Sequence, residues 1–214
     1  MVTPKKNTIE VWAGIECSFN RIGDTFVDQL SLSGHYDRPD DIDRFAELGI
    51  KALHYPILWE HHQPHQESVI EWDWTASQLD KIQSYAMTPV IGLLHHGSGP
   101  IFTHLLDHDF AKGLSAFAGK VAARFPELEY YKPINEPLTT ARFSGLYGLW
   151  YPHAKEDIAF ANILLNQLKA IVLSMKEIHK INPAAKLIQT EDLSKTYSTP
   201  TLQYQADFEN HRRW

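Results

Sequence analysis

The stretch TASQLDKIQSYAMTPVIGLLHH, residues 75–96, places a helical pattern directly before a short apolar run. Leu79, Ile82 and Ala86 recur at helical spacing, so the first part of the stretch is predicted to be a helix. The second part is apolar and lacks a polar alternation, which is typical of a strand buried on both faces. A helix that leads straight into a buried strand is the repeating unit of a parallel α/β fold.

The same alternation continues on both sides of this stretch. Strands are predicted over residues 8–15, 51–59, 88–96, 129–135 and 185–192. Helices are predicted over residues 40–50, 75–87, 109–125 and 156–181, and residues 202–214 resemble the start of another. Alternating strands and helices with short connections imply right-handed crossovers and a parallel sheet.

Two parallel architectures compete, a doubly wound sheet and a (β/α)8 barrel. The first loop, GIECSFNRIGD, lacks the G-x-G-x-x-G turn of a doubly wound nucleotide-binding sheet. Polar and aromatic residues instead follow the predicted strands, at Glu16, Trp59, Glu60, His95, His96, Asn135, Glu136, Glu191 and Asp192. In a barrel the carboxyl ends of the strands form one rim, which carries the chemistry. We therefore predict an α/β fold, a partial (β/α)8 TIM barrel of about five βα units with parallel strands.

A complete barrel has eight strands, whereas only five are predicted here. We expect residues 1–214 to be a single domain that forms an incomplete barrel. Such a piece leaves two unpaired strand edges. We therefore expect it to self-associate, or to pair with a missing C-terminal half, through those edges.

Composition narrows the possible functions. Hydrophobic residues make up 43% and charged residues 21% of the 214, with a formal net charge of -6, an ordinary soluble balance. The sequence contains no Lys/Arg-rich run, so neither nucleic-acid nor membrane partners are expected. No secretion signal or membrane-length run is recognised, so a cytoplasmic location is expected. The single cysteine, Cys17, excludes an internal disulfide and is expected to be a buried thiol rather than a nucleophile.

Histidines cluster in residues 61–65 and 95–108. A zinc site needs three or four ligands that converge, and neither stretch contains the H-E-x-x-H spacing. We therefore expect surface or loop histidines, no metal and no cofactor. A metal-dependent hydrolase is kept as the third functional alternative.

Four segments carry a resemblance to a known family. INEPLTT (residues 134–140) resembles T-x-N-E-P, and GLYGLWYPH (145–153) resembles G-Y-x-x-G-x-x-x-P-G. Upstream, TPVIGLLHHGSGP (88–100) is similar to P-x-V-T-L-x-H-W-D-x-P, and HYPILWEHHQP (54–64) to R-F-S-I-S-W-S-R-I-x-P. In this order they resemble the N-terminal half of glycoside hydrolase family 1, a group of retaining β-glycosidases with (β/α)8 barrels. A further similarity is to bacterial proteins in which such a segment precedes a dTDP-4-dehydrorhamnose reductase-like domain.

The resemblance implies a catalytic residue and a sugar-binding set. Glu136 matches the family's general acid/base, and its position between a buried strand and Pro137 suits a carboxyl with a raised pKa. Asn135 matches the contact to the sugar 2-hydroxyl, and His95 matches a sugar-binding histidine. The expected substrate-binding residues are Asn135, His95, Trp59, Glu16, Asn20, Glu191 and Trp150.

Two departures from the family bear on activity. Retaining glycosidases need a second carboxylate about 5–5.5 Å from the first, and the family's T-E-N-G-type nucleophile motif is absent. His54 stands where the family has arginine, and it lacks the permanent charge and the bidentate fork. We therefore expect a β-glycosidase region, acting on β-linked sugars, that is inactive without its nucleophile half. The alternative is an inactive carbohydrate-binding or scaffold module linked to sugar-nucleotide metabolism.

Overall fold

The computed structural model describes residues 9–212. Residue 8 of the first predicted strand and residues 213–214 of the last predicted helix lie outside the described residues. The strands are β1 (Trp12–Gly14), β2 (Phe19–Ile22), β3 (Thr25–Asp28), β4 (Ala52–Pro56), β5 (Thr88–Gly92), β6 (Tyr130–Lys132) and β7 (Lys186–Leu187). The helices are α1 (Gln29–Ser33), α2 (Asp41–Glu47), α3 (Trp59–His62), α4 (Asp73–Ser84), α5 (Phe110–Arg124), α6 (Pro137–Ala141), α7 (Asp157–Ile181) and α8 (Gln203–Arg212).

Five of these strands form one parallel sheet in the order β1-β4-β5-β6-β7. Each strand of the sheet pairs with the next one along the chain, with no reversal of strand order. A doubly wound sheet would contain such a reversal. The predicted partial (β/α)8 barrel of parallel strands is therefore confirmed.

The strands are shorter than predicted. The last predicted strand, residues 185–192, keeps only Lys186 and Leu187 in regular pairing. Beyond β5 and β6 the two chains stay connected by backbone hydrogen bonds from Leu93 N–H to Lys132 O (3.3 Å) and from Asn135 N–H to Leu94 O (2.9 Å), and an isolated parallel bridge joins His95 and Asn135. The side chains of His95 and Asn135 therefore lie beside each other at the carboxyl end of the sheet.

A two-stranded antiparallel hairpin, β2–β3, replaces the predicted polar loop after the first strand. The turn between the strands is Gly23–Asp24, and Gly23 has a φ of +59°, a conformation that glycine adopts without strain. A Gly-Asp pair between two short alternating runs is a hairpin signal. The sequence contained that signal, and the prediction missed it.

The core lies between the sheet and its helices. Helices α5 and α7 bury one face each, including Phe117 and Val121 of the first and Ile163 and Ile178 of the second. By length and composition alone α7 could cross a membrane. Its alternation of buried and exposed positions is instead that of an amphipathic helix of a globular core.

The opposite face of α7 leaves large apolar side chains exposed, among them Leu165 and Val172. More exposed apolar residues follow in the C-terminal segment, including Leu193, Tyr204 and Phe208. Large apolar side chains are thus exposed on α7 and in the segment that follows β7. A sixth strand-helix unit would pack there in a complete barrel.

Candidate active site

Glu136 lies at the carboxyl end of the sheet, between β6 and α6. Its backbone adopts the left-handed conformation, with a φ of +44°, which is uncommon outside glycine and costs roughly 1–3 kcal/mol. Its side chain is 30% exposed, and its Oε2 lies 3.8 Å from the Nε2 of His96. Burial and then the negative charge of Glu191 raise the pKa of the Glu136 carboxyl. A raised pKa keeps a carboxyl protonated nearer neutrality, as a proton donor requires.

Glu191 holds the helix that follows Glu136. Its carboxylate accepts hydrogen bonds from the backbone N–H groups of Leu138 (2.7 Å) and Thr139 (3.3 Å), and from the Thr139 hydroxyl (3.2 Å). These donors belong to the first turn of α6, where a negative charge is stabilising. Glu191 was expected among the sugar contacts, but its oxygens are directed at α6. The carboxylate therefore positions the segment that carries Glu136.

Glu191→Gln is expected to lower the pKa of Glu136, because it removes the neighbouring negative charge and leaves the burial in place. The measurement is a pH titration of the Glu136 side-chain carboxyl by ¹³C NMR. Glu129→Gln is the matched control, since Glu129 is exposed just before the other end of β6. A Glu136 midpoint that is the same in both variants would contradict the role given to Glu191.

Asn135 joins four neighbouring side chains. Its Nδ2 donates to the Nε2 of His95 (3.2 Å) and to the Nε2 of His96 (3.1 Å). Its Oδ1 accepts from Lys132 Nζ (2.7 Å) and Thr190 Oγ1 (3.0 Å). The amide is 4% exposed and all its polar atoms have partners in the protein. A sugar hydroxyl would have to replace one of these partners.

His96 belongs to the site although it was left out of the predicted binding set. In a regular strand, adjacent side chains point to opposite faces, so His95 and His96 would not be expected to meet. The φ of His96 is +55°, which ends the alternation and lets both rings reach Asn135. The Nδ1 of His96 lies 3.1 Å from the Thr140 hydroxyl. Burial lowers the pKa of His96, so a neutral ring lies beside Glu136.

Asn20 and Trp150 meet above His96. In the amide orientation that satisfies both partners, Asn20 donates to the His96 carbonyl oxygen (3.0 Å) and accepts from the Trp150 indole N–H (3.1 Å). The Trp150 ring lies 5.2 Å from the His96 ring, centre to centre. The structure therefore brings these two predicted residues together with the acid/base candidate.

Glu16 and His95 form the other side of the rim. Glu16 accepts from the Ser18 N–H (3.0 Å) and hydroxyl (2.7 Å), and its Oε1 lies 3.8 Å from His95 Nε2. Partial burial would raise the pKa of Glu16, but the Ser18 hydrogen bonds lower it. Burial lowers the pKa of His95 to about 3, so its ring is neutral.

The structure corrects the placement of Trp59 and Glu60. Both lie in α3, not at the end of a strand, and both are buried. The Trp59 indole is 1% exposed and packs on Phe110 and Phe117, so it is enclosed in the core and cannot stack on a sugar. Gly113 makes room for it, since a Cβ there would lie 2.6 Å from the indole.

Glu60 is buried beside the loop that follows β5. Its Oε1 accepts from the Gly99 N–H (3.1 Å), and its Oε2 has no hydrogen-bond partner among the described residues. Burial raises the pKa of Glu60 to about 8, from an ordinary value of 4.5. Between those two values unfolding releases a proton, so the free energy of unfolding falls as pH rises.

Glu60→Gln is expected to remove this pH dependence, because glutamine imitates the neutral acid. Relative to the variant, the wild-type protein should lose about 3 kcal/mol of stability between pH 5 and pH 8. Urea unfolding at the two pH values measures the difference. An equal change with pH in both proteins would show that Glu60 is already ionised at pH 5.

Comparisons with known proteins identify the fold. No protein-family model and no curated protein matches the sequence. The chain is similar in structure to a family 1 β-glucosidase from Thermotoga maritima in complex with isofagomine lactam, with a TM-score of 0.71 and 19% identity over 83% of this chain and 42% of that one. The β-glucosidase of the same organism in complex with castanospermine matches with a TM-score of 0.71 and 18% identity, over 82% of this chain and 42% of that one. The complex of that enzyme with cyclophellitol matches with a TM-score of 0.70 and 19% identity, over 81% of this chain and 42% of that one.

The chain thus spans about two fifths of the length of the β-glucosidases it matches. Identities this low establish a shared fold and leave activity open. Over the part that the match covers, the chain has the (β/α)8-type fold of the family 1 β-glucosidases.

Proposed function

We propose that this chain is the acid/base half of a β-glycosidase, which hydrolyses O-glycosidic bonds of β-linked sugars. The supporting observation is the position of Glu136, a carboxyl with a raised pKa at the rim of the sheet. Asn135 and His96 lie beside it, on a fold shared with β-glucosidases that were solved with small inhibitors.

The mechanism gives Glu136 two tasks. As an acid it donates its proton to the glycosidic oxygen while the bond to the leaving group breaks. As a carboxylate it then accepts a proton from the water that attacks the sugar. Glu191 favours the protonated state that the first task needs, because its negative charge raises the pKa of Glu136. The nucleophilic carboxylate would come from a strand beyond the five described.

The test uses two proteins. One is the 214-residue chain, and the other, called the completed chain below, is this chain fused to the last three strand-helix units of a family 1 β-glucosidase. We expect the completed chain to hydrolyse an aryl β-glucoside and to release the β-anomer first, as a retaining mechanism requires. We expect the chain alone to be inactive. A folded but inactive completed chain would contradict the proposal.

A second candidate is a carbohydrate-binding or scaffold module that has lost catalysis, linked to sugar-nucleotide chemistry. Two observations favour it. His54 replaces the arginine of the family pattern, and the Asn135 amide is occupied by protein partners. Sugar binding by a completed chain that remains inactive would support this candidate. The cytoplasmic location and the absence of nucleic-acid and membrane partners remain predictions.

We also propose that the chain associates through its open side, where β7 and the exposed face of α7 lie. Light scattering should give a mass above the 24.5 kDa of one chain, rising with concentration, because apolar surface buried on association is stabilising. Leu165→Glu combined with Val172→Glu should shift the protein toward monomer. Val69→Glu is the control, since Val69 is exposed elsewhere. A monomer at all concentrations would contradict the prediction.

A further inference from the structure

Below the rim, three potential metal ligands from distant parts of the sequence meet. Cys17 follows β1, His54 lies in β4, and His95 follows β5, and one ligand atom of each lies within 4.8 Å of the other two. The Cys17 Sγ and the His95 Nδ1 are 3.3 Å apart, although the residues are 78 positions apart in the chain. The thiol is fully buried, and His95 is 7% exposed.

The hydrogen bond between the Cys17 thiol and the His95 imidazole leaves one property of His54 unexplained. Its Nε2 is inaccessible to solvent and has no hydrogen-bond partner among the described residues. Buried polar atoms nearly always have a partner. The ring occupies space that two glycines leave open, since a Cβ on Gly92 would lie 2.5 Å from this nitrogen and a Cβ on Gly14 would lie 3.2 Å from the His54 Cβ. A buried, unpaired nitrogen is suited to bind a cation.

We propose that Cys17, His54 and His95 bind a transition-metal ion, with Zn²⁺ as the ion that fits best. One thiolate and two imidazoles favour zinc over magnesium or calcium, which prefer oxygen ligands. Zn–S and Zn–N bonds of about 2.3 and 2.0–2.1 Å put tetrahedral ligand atoms roughly 3.3–3.7 Å apart. The Cys17–His95 separation of 3.3 Å is already in this range, and the separations to His54, at most 4.8 Å, would shorten by up to about 1.5 Å. Three protein ligands leave a fourth position for water or a hydroxyl.

The protonation states of the three groups suit this role. Burial lowers the pKa values of His54 and His95, so both imidazoles are neutral and their lone pairs are available. Burial also raises the pKa of the Cys17 thiol, so it stays protonated until an ion displaces the proton. The charged or titratable groups that act on the thiol are Glu16, Lys132, Asp28 and Glu60. Binding forms one Zn–S bond, breaks the thiol S–H bond and releases that proton to solvent.

Glu16 can support the bound state. If the ion takes the Nδ1 of His95, the atom nearest the thiol, the ring proton moves to Nε2. The hydrogen bond that Nε2 now accepts from Asn135 Nδ2 (3.2 Å) is then given up, and the Glu16 carboxylate lies 3.8 Å away. A histidine ligand usually donates its second N–H to such a partner. The Lys132 ammonium nearby opposes the added positive charge, and Glu16 and Glu136 offset it.

The proposal is tested by adding Co²⁺ and then Zn²⁺ to the untagged 214-residue protein after treatment with a chelator. Cys17 is the only cysteine, so a thiolate-to-cobalt absorption band reports this residue alone. We expect one equivalent of Co²⁺ to produce the band and Zn²⁺ to abolish it. Cys17→Ala and Cys17→Ser should remove the band. His54→Ala, which keeps the thiol, should weaken binding by more than about 100-fold.

His108→Ala is the control, since the second group of potential ligands, Asp107, His108 and Asp109, lies near the surface. That variant should keep the cobalt band. Absence of the band from folded wild-type protein would overturn the proposal. So would binding that survives in both Cys17 variants or disappears in His108→Ala. The outcome is independent of hydrolysis, because the band requires neither Glu136 nor any strand beyond the five described.

Discussion

Glu136→Gln in the completed chain is expected to lower kcat by about 10²–10⁴-fold for a β-glucoside with a poor leaving group, the usual contribution of general acid–base catalysis. Glutamine keeps the size of the side chain and cannot give up a proton to the glycosidic oxygen. A good leaving group departs without that proton, so the loss in the first step should be small for such a substrate. The kcat/KM values for a series of aryl β-glucosides measure the contrast, because kcat/KM reports the first step.

Glu129→Gln is the control for this experiment, because it makes the same chemical change near the opposite end of β6, on an exposed side chain. It should leave kcat unchanged for every substrate. If Glu136→Gln changed kcat equally little, the acid/base role would pass to another residue. Glu16 would then be the first carboxylate to examine, since it lies within 3.8 Å of His95.

Trp59→Ala is expected to lower the free energy of unfolding by about 3–5 kcal/mol, the usual cost of removing a buried tryptophan. The indole is 1% exposed and lies against Phe102, Phe110 and Phe117 at ring distances of 5.9–6.5 Å. Its removal would leave a cavity beside α5 that the rigid surroundings fill only in part. Urea unfolding measures the loss, and Trp59→Phe should recover part of it.

Trp150→Ala is the comparison for Trp59→Ala, because it removes a tryptophan at the rim instead of one in the core. Trp150 is half-buried and bonded to Asn20, so we expect a smaller loss of about 1 kcal/mol and weaker sugar binding by the completed chain. A Trp59→Ala protein as stable as Trp150→Ala would contradict the assignment of Trp59 to the core.

The parallel α/β fold could be predicted because helix and strand periods alternate along the chain, as in residues 75–96. The position of Trp59 could not be predicted from a strand ending in an aromatic residue. The chain enters α3 at Trp59 and turns the indole inward, and the space it fills is made by Gly113 on α5. Local sequence carries no information about a contact between residues so far apart.

The candidate site could also be predicted only in part. Glu136 and Asn135 were found because INEPLTT, which follows a buried strand, resembles the family's T-x-N-E-P motif. His96 was missed because strand alternation points it away from His95, and only its positive φ brings both rings to Asn135. The register of three parallel strands brings Cys17 and His54 close to His95. The spacing of residues within the two histidine-rich stretches does not indicate this contact.

The most direct test of Glu136 as the group that activates water is addition of sodium azide to the completed chain carrying Glu136→Gln, with an activated aryl β-glucoside as substrate. Azide needs no general base, so it can attack the sugar held on the nucleophile where water reacts slowly. We predict faster turnover, with β-glucosyl azide as the product identified by NMR. Turnover that azide does not accelerate, with glucose as the sole sugar product, would contradict the account.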